Sequence, residues 1–236
     1  MPELPDVTVY VEAVASRVTG KALSGVRLNN PFVVRTFDPP IRGLAGAKVS
    51  GVSRLGKRVV LELDGDRFLA IHLMIAGRLH WKEPAAKLAG KQNLAAFDFD
   101  TGTLTLTEAG TKRRASIHVV VGRPALEALA AGGVEIEACD GRAFHEALLR
   151  ENHTLKRSLT DPRIFSGIGN AYSDEILHRA KMSPVKLTSK LTLAESSRLF
   201  EATRAVLGEW TARLRDWTPQ NPRSRRDSTI PRWRWA

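Results

Sequence analysis

The 236-residue sequence carries a formal net charge of +11, with 43% hydrophobic and 26% charged residues. This length and apolar content suffice for one or two domains with buried cores. The excess of positive charge favours a polyanionic partner, although a basic protein without such a partner has the same composition.

Cysteine content and hydropathy exclude several further classes. The single cysteine, Cys139, excludes an intrachain disulfide framework and a cysteine-rich zinc site. The sequence has neither a run of about 18 apolar residues nor a basic-then-apolar signal segment. We therefore expect a cytoplasmic protein with no membrane partner.

The first residues could take part in covalent chemistry. Removal of Met1 would leave Pro2 as a secondary amine. An α-amino group titrates near about 8, so a fraction is unprotonated at neutral pH and can attack an electrophilic sugar C1′ without a metal or cofactor. Glu3 is adjacent and suited to transferring the protons. Taken alone, such a start is more often an ordinary frayed terminus before a helix.

The next residues predict an amphipathic helix that begins after Pro5. Asp6 is expected to cap its start, and Gly20 to end it. The apolar positions have the three-, four- and seven-residue spacing of one helical face: Val7, Val11, Val14 and Val18, with Tyr10 beside them.

Short β-runs follow up to about residue 121. The candidate strands are residues 26–28, 49–52, 58–63, 68–73, 96–99, 104–107 and 117–121. Hairpin signals at residues 64–66 and 100–102 separate neighbouring runs. Several short strands at this spacing predict an antiparallel sandwich of two sheets and, with the helices before and after it, an α+β protein.

The remainder of the chain is predicted to be helical. Helices are expected over residues 142–150, 155–160 and 170–181, and a capping box at residues 192–195 opens another. A glycine-punctuated turn at residues 165–169 precedes the third helix. Its helix start is predicted to offer unpaired N–H groups to an anion, although capping of a helix is the commoner explanation for such a turn.

Three separated motifs together resemble the formamidopyrimidine-DNA glycosylase / endonuclease VIII family of base-excision repair enzymes. They are the initial Met-Pro-Glu-Leu-Pro-Asp-Val, the Gly56-Lys57 pair, and the run from Phe165 to Leu177. The likeness covers about residues 1–215. It implies an N-terminal helix on a two-sheet sandwich, followed by a helix–two-turn–helix domain, in a bacterial-type, nucleoid-associated monomer.

The resemblance implies a catalytic set of Pro2, Glu3 and Lys57, with damaged double-stranded DNA as partner and no cofactor. Pro2 is expected to form a Schiff base with C1′, which gives base removal followed by β-elimination. Lys57 is expected to reach the abasic sugar and phosphate. Without the resemblance, a lysine at a strand edge is more often a solvated side chain that prevents another strand from pairing with that edge.

The family pattern also implies DNA contacts. Ile75, or Met74 beside it, matches a wedge that enters the space left by a flipped base; a buried strand end is the plain alternative. The other expected contacts are Arg113, Arg114, Lys156 and Asn170. Lys91, or Gln92 beside it, stands where the family often has a DNA-contacting histidine, and Lys91 is expected to meet a phosphate there. Ala115 replaces the aromatic residue expected after the arginine pair, which puts opposite-base discrimination in doubt.

The domain boundaries expected from the sequence are residues 1–122 for the catalytic sandwich, 123–141 for a connection and 142–216 for the helical domain. Residues 217–236 form a basic tail, expected to be disordered, where the family has a four-cysteine zinc finger. One interpretation is that the finger is missing through truncation or a frame change, so that a second, δ-elimination is not expected. The alternative is a DNA-binding arm built from tryptophans and arginines: Trp233 and Trp235 among Arg223, Arg225, Arg226, Arg232 and Arg234.

Two other functions remain open at this stage. The chain could be a damaged-DNA-binding protein with weak or no turnover, or an RNA-binding or ribosome-associated protein with a similar helical module. The Pro2-Glu3 start favours the enzyme, because neither kind of binder needs a free secondary amine.

Overall fold

The computed structural model describes residues 1–110 and 112–217. The chain divides into two compact units. The first contains Met1–Pro2, Asp6–Leu129 and the described residues from Leu214 onward; the second contains Glu3–Pro5 and Ala130–Arg213. The boundary between Leu129 and Ala130 falls inside the connection expected at residues 123–141.

The first unit combines helix α1 (Leu4–Val18, whose first residues are counted with the second unit) with two four-stranded antiparallel sheets. One sheet has the order β1-β6-β7-β5, with β1 Gly25–Leu28, β5 Gly77–Lys82, β6 Asn93–Phe99 and β7 Gly102–Glu108. The other has the order β2-β3-β4-β8, with β2 Val49–Leu55, β3 Arg58–Leu63, β4 Arg67–His72 and β8 Ser116–Val121. The predicted sandwich and its seven strands are confirmed.

A single apolar core joins both sheets to α1. The helix contributes the predicted stripe, including Val7, Tyr10 and Val14, all at most 1% exposed. The second sheet is also covered on its outer face, where Val60, Phe68 and Ala70 pack against Leu126 of the short helix α2 (Arg123–Glu127). Burial on both faces explains the nearly continuous apolar composition of β3 and β4.

Two local predictions in this unit were wrong. Strand β5 was not among the expected strands, yet Gly77–Lys82 pairs along its whole length with β7. Asp6 lies in the first turn of α1 rather than at its cap, because the helix begins at Leu4. An acidic residue there still interacts favourably with the positive end of the helix dipole.

The second unit is helical, as expected. Its helices are α3 (Gly141–Leu149), α4 (Leu155–Thr160), α5 (Asn170–Ala180) and α6 (Leu193–Trp217, whose residues from Leu214 are counted with the first unit). Phe144, Phe165 and Tyr172 fill its core together with Leu4. The capping box is confirmed, since the Glu195 N–H donates to Thr192 Oγ1 at 3.2 Å and the Thr192 N–H donates to Glu195 Oε2 at 3.0 Å. Of the predicted tail, Trp217 ends α6, and the rest lies outside the described residues.

Candidate active site

The Glu3 side chain is buried at the start of helix α5. Only 2% of Glu3 is exposed. Its Oε2 accepts hydrogen bonds from the backbone N–H groups of Gly169 at 2.7 Å and Tyr172 at 3.3 Å, and its Oε1 accepts one from Ala171 at 3.0 Å. A carboxylate bonded to the first N–H groups of a helix also interacts favourably with the helix dipole.

This contact corrects the prediction that the start of α5 offers unpaired N–H groups to an external anion. Three of those groups are donated to the protein's own Glu3. The donor and acceptor residues are more than 160 positions apart in the chain, so no local pattern could have paired them. The capping interpretation of the turn was therefore the better one, with a distant residue as the cap.

The turn before α5 brings the N-terminal segment close to its backbone. Gly167 has a φ of +83°, and a Cβ there would lie 2.8 Å from Leu4 Cβ. The Leu4 N–H also donates to the Gly167 carbonyl at 2.9 Å. A larger residue at position 167 would be strained in its backbone and would collide with Leu4. The glycine is thus required for the N-terminal segment to be held here.

Pro2 is buried, and Met1, which precedes it, is 45% exposed. While Met1 is present, the Pro2 nitrogen is part of a peptide bond and is not nucleophilic. The amine required by the sequence prediction therefore arises only after Met1 is removed.

Two of the predicted phosphate contacts lie beside the Glu3 site. Asn170 is the first residue of α5 and is exposed. Lys156 Nζ on α4 donates to the Asn170 carbonyl at 3.0 Å and forms an ion pair with Asp174 Oδ1 at 2.5 Å. A partly exposed ion pair of this kind stabilises a protein by about 1 kcal/mol, so a phosphate can compete with Asp174 for the lysine.

In the first unit, Lys57 occupies the turn between β2 and β3. Gly56 before it has a φ of +59°, and its carbonyl accepts a hydrogen bond from Arg54 Nη1 at 3.1 Å. Lys57 is half-buried. The following Arg58 is also half-buried, and this burial lowers the pKa of its guanidinium. The turn therefore concentrates positive charge around Lys57.

The expected wedge and the loop contact are both exposed. Ile75 lies in the turn between β4 and β5 with 60% of its surface exposed, whereas Met74 beside it is half-buried and has a φ of +53°. This exposure favours Ile75 over Met74 as the wedge. Lys91 is exposed in the loop before β6.

Arg113 and Arg114 are exposed in the segment between β7 and β8. Glu108, only 1% exposed at the end of β7, accepts the backbone N–H groups of Arg114 at 2.9 Å and Ala115 at 2.9 Å. Ala115 is itself buried in the core. Sequence analysis missed Glu108; its signal was a carboxylate at a strand end, just before an arginine-rich loop.

Among residues 1–110 and 112–217, no group of three or more His, Cys, Asp or Glu side chains could hold a metal ion. Over the same part of the chain, no helix is both long and apolar enough to span a membrane.

Comparison with known proteins identifies the family. The family model of the formamidopyrimidine-DNA glycosylase N-terminal domain matches residues 1–117, and that of the formamidopyrimidine-DNA glycosylase H2TH domain matches residues 131–213. The formamidopyrimidine-DNA glycosylase of Heliobacterium modesticaldum is 31% identical over 89% of this chain and 78% of its own length. That of Mycobacterium avium is 31% identical over 90% of this chain and 78% of its own.

Solved structures show the same fold. The Lactococcus lactis formamidopyrimidine-DNA glycosylase, non-covalently bound to DNA containing an abasic site, superimposes with a TM-score of 0.81 at 25% identity, over 89% of this chain and 82% of that one. A second complex of the L. lactis protein with abasic-site DNA gives 0.84 at 23% identity, over 97% and 83%.

The family matches and the shared fold therefore place the chain among the DNA glycosylases of base-excision repair. The chain belongs to the formamidopyrimidine-DNA glycosylase family. The second family match ends at residue 213, and the sequence contains one cysteine, so the four-cysteine finger is not found within these 236 residues.

Proposed function

We propose that this protein removes damaged bases from double-stranded DNA and then cleaves the strand at the resulting abasic site, with the Pro2 amine as nucleophile. The observation that carries the proposal is the anchored Pro2-Glu3 pair. Pro2 is buried next to a carboxylate whose orientation is fixed by three backbone N–H groups. A fixed geometry of this kind favours attack because the reacting groups need little further ordering.

The first step is displacement of the base. The lone pair of the Pro2 nitrogen attacks C1′, and the bond between C1′ and the base breaks with its electron pair leaving on the base, which takes up a proton. The nitrogen loses its own proton, and the ring oxygen O4′ leaves C1′ with a proton. The product is an iminium between Pro2 and an opened sugar. Glu3 is the adjacent carboxylate for these proton transfers.

The second step is strand cleavage. A proton leaves C2′, its electron pair forms the C2′–C3′ double bond, and the bond between C3′ and the 3′-phosphate oxygen breaks. Water then hydrolyses the iminium, which releases an unsaturated aldehyde and regenerates the Pro2 amine. None of these steps requires a metal, an oxidant or a reductant.

We assign the DNA contacts to the same residues that the sequence indicated. Lys57, Lys91 and Arg114 would contact phosphates from the first unit, and Lys156 and Asn170 from the second. Arg113 and Ile75 would fill the space left by the flipped nucleotide, which offsets an unstacking cost of a few kcal/mol, in order of magnitude. The exposure of Ile75, Arg113 and Arg114 supports these assignments.

The test is borohydride trapping on duplex DNA with one abasic site, followed by peptide mass spectrometry. Borohydride reduces the iminium to a stable amine and links the protein to the sugar. Arg17 is the first Lys or Arg after Pro2, so trypsin yields a peptide of residues 2–17 that reports on the N-terminus. We expect the sugar adduct on Pro2 in this peptide.

The matched control is the same chain with Met1 retained, in which the Pro2 nitrogen is an amide. Trapping should fall to background there. Glu3→Gln, which keeps one acceptor oxygen for the N–H groups of α5, should bind the DNA but form the adduct more slowly. An adduct on Lys57 instead would make the lysine the nucleophile. Binding of abasic DNA without any adduct, in protein shown to lack Met1, would leave a damaged-DNA-binding protein.

A further inference from the structure

The turn between β4 and β5 has a backbone that few sequences can adopt. Met74 takes a left-handed φ of +53°, which costs a non-glycine residue about 1–2 kcal/mol. The Gly77 N–H donates to the Leu73 carbonyl at 2.9 Å, and a Cβ at position 77 would lie 2.2 Å from that oxygen. The turn is therefore tight, and a contact that stabilises the Met74 backbone is needed to hold it.

His72, the last residue of β4, provides that contact. Its Nδ1 accepts a hydrogen bond from the Met74 N–H at 3.0 Å. Because Nδ1 acts as acceptor, the ring must be neutral and carry its proton on Nε2. This histidine was not among the site residues predicted from the sequence.

The surroundings of His72 keep the ring neutral. Burial, followed by the positive charges of Arg58, Lys57 and His118, lowers the pKa of His72 to about 4. Arg58 lies directly opposite on β3, and Ser116 lies opposite on β8. His118, two residues further along β8, also has a lowered pKa because of burial and nearby arginines. The Nδ1 atom of His72 therefore remains a hydrogen-bond acceptor throughout the neutral pH range.

We propose that His72 is a positioning residue for the wedge: by holding the Met74 amide it presets the turn that presents Ile75 to DNA. This rests on the proposed function, in which Ile75 enters the duplex. Ile75 is 60% exposed and lies immediately after the held residue. A turn that is already ordered before binding loses less conformational entropy when the wedge is inserted.

The experiment compares two isosteric substitutions. In His72→Asn, the side-chain Oδ1 can occupy the place of Nδ1 and accept the Met74 N–H. In His72→Gln, the amide extends toward the place of Nε2 instead. The first readout is hydrogen exchange of the Met74 amide by NMR in the full chain without DNA. The second is the fluorescence of 2-aminopurine paired opposite a stable tetrahydrofuran abasic analogue, which reports insertion of the wedge.

We expect His72→Asn to keep the Met74 amide protected and to insert the wedge within about threefold of the unmodified protein. His72→Gln should lose about tenfold in both protection and insertion rate, as expected from losing one hydrogen bond. The proposal is overturned if the two variants protect Met74 equally. It is also overturned if His72→Gln slows insertion while Met74 stays protected, because the ring would then act on DNA directly.

Ile75→Ala separates this proposal from the proposed function. It should abolish insertion and leave exchange of the Met74 amide unchanged. If the unmodified protein gives no insertion signal, the wedge role of Ile75 and with it the DNA part of the proposal fail. Hydrogen exchange still decides whether His72 holds the turn.

Discussion

Glu3, Glu108 and His72 share one property at the level of single residues: each accepts hydrogen bonds from backbone N–H groups of a segment that carries a proposed DNA contact. Glu3 holds the start of α5 beside Asn170, and Glu108 holds the loop of Arg114. His72 holds the turn of Ile75. Backbone groups are fixed in position more firmly than side chains, so contacts of this kind set the shape of a loop before DNA arrives.

His72 should also make folding stability depend on pH. Its pKa falls from the ordinary 6.5 to about 4 in the folded protein. Between these values the unfolded chain binds the proton and the folded protein does not. The contribution of the neutral His72 ring to folding stability is therefore fully present above about pH 6.5 and is lost as the pH falls toward 4. The shift corresponds to a loss of at most about 3 kcal/mol. Chemical denaturation at a series of pH values measures it.

The control for this prediction is His72→Asn, which keeps the acceptor and cannot titrate. Its stability should change less between pH 6.5 and 4 than that of the unmodified protein. Acidic groups lose their contributions at lower pH: the hydrogen bond and charge of Arg163 hold the pKa of Asp161 at about 2, so its contribution is lost below about pH 4. Equal pH profiles for the two proteins would contradict the prediction.

At the level of elements, the β7–β8 loop should depend on Glu108 as its anchor. In Glu108→Gln, an NH2 group replaces one acceptor oxygen and faces N–H donors, which should destabilise the protein by about 1–3 kcal/mol. Because Arg114 donates its backbone N–H to Glu108, the same change should also weaken binding of abasic DNA. Thermal melting and fluorescence anisotropy measure the two effects.

A double-mutant cycle with Arg114→Ala shows whether the loop acts through its arginine. If Glu108 matters for DNA because it positions Arg114, the binding losses of the two single variants should be less than additive in the double variant. Fully additive losses would mean that the carboxylate and the arginine side chain contribute independently.

The elements themselves could largely be predicted from local pattern, whereas their capping contacts could not. Alternation and the turn signals found the two hairpins, in the first of which Gly65 and Asp66 take positive φ. Strand β5 was missed because its short run follows directly on a tight turn. Glu3 and Glu108 were missed as backbone anchors because their partners are set by tertiary structure. The pairing of Glu3 with α5 is the extreme case.

At the level of the whole molecule, the positive charge has two separable sources. Residues 218–236 contain five arginines and one aspartate, and so carry four of the eleven net positive charges. The proposed phosphate contacts Lys57, Lys91, Arg114 and Lys156 all lie outside that segment. The salt dependence of DNA binding can therefore assign affinity to one source or the other.

Each phosphate neutralised by a cation contributes about −0.9 to the slope of log binding constant against log salt concentration, because counterions are released from the duplex. Four lysine and arginine contacts predict a slope of about −4. We expect this slope to persist when the five tail arginines are replaced by glutamine, because the proposed contacts remain. Adding Lys156→Ala to that variant should then reduce the magnitude of the slope by about 1.

Anisotropy titrations at several salt concentrations measure these slopes. A slope near zero in the five-glutamine variant would contradict the assigned contacts. The salt-dependent part of the affinity would then come from the tail arginines, as the hypothesis of an arginine–tryptophan arm requires. A slope that does not differ from that of the unmodified chain would exclude the arm.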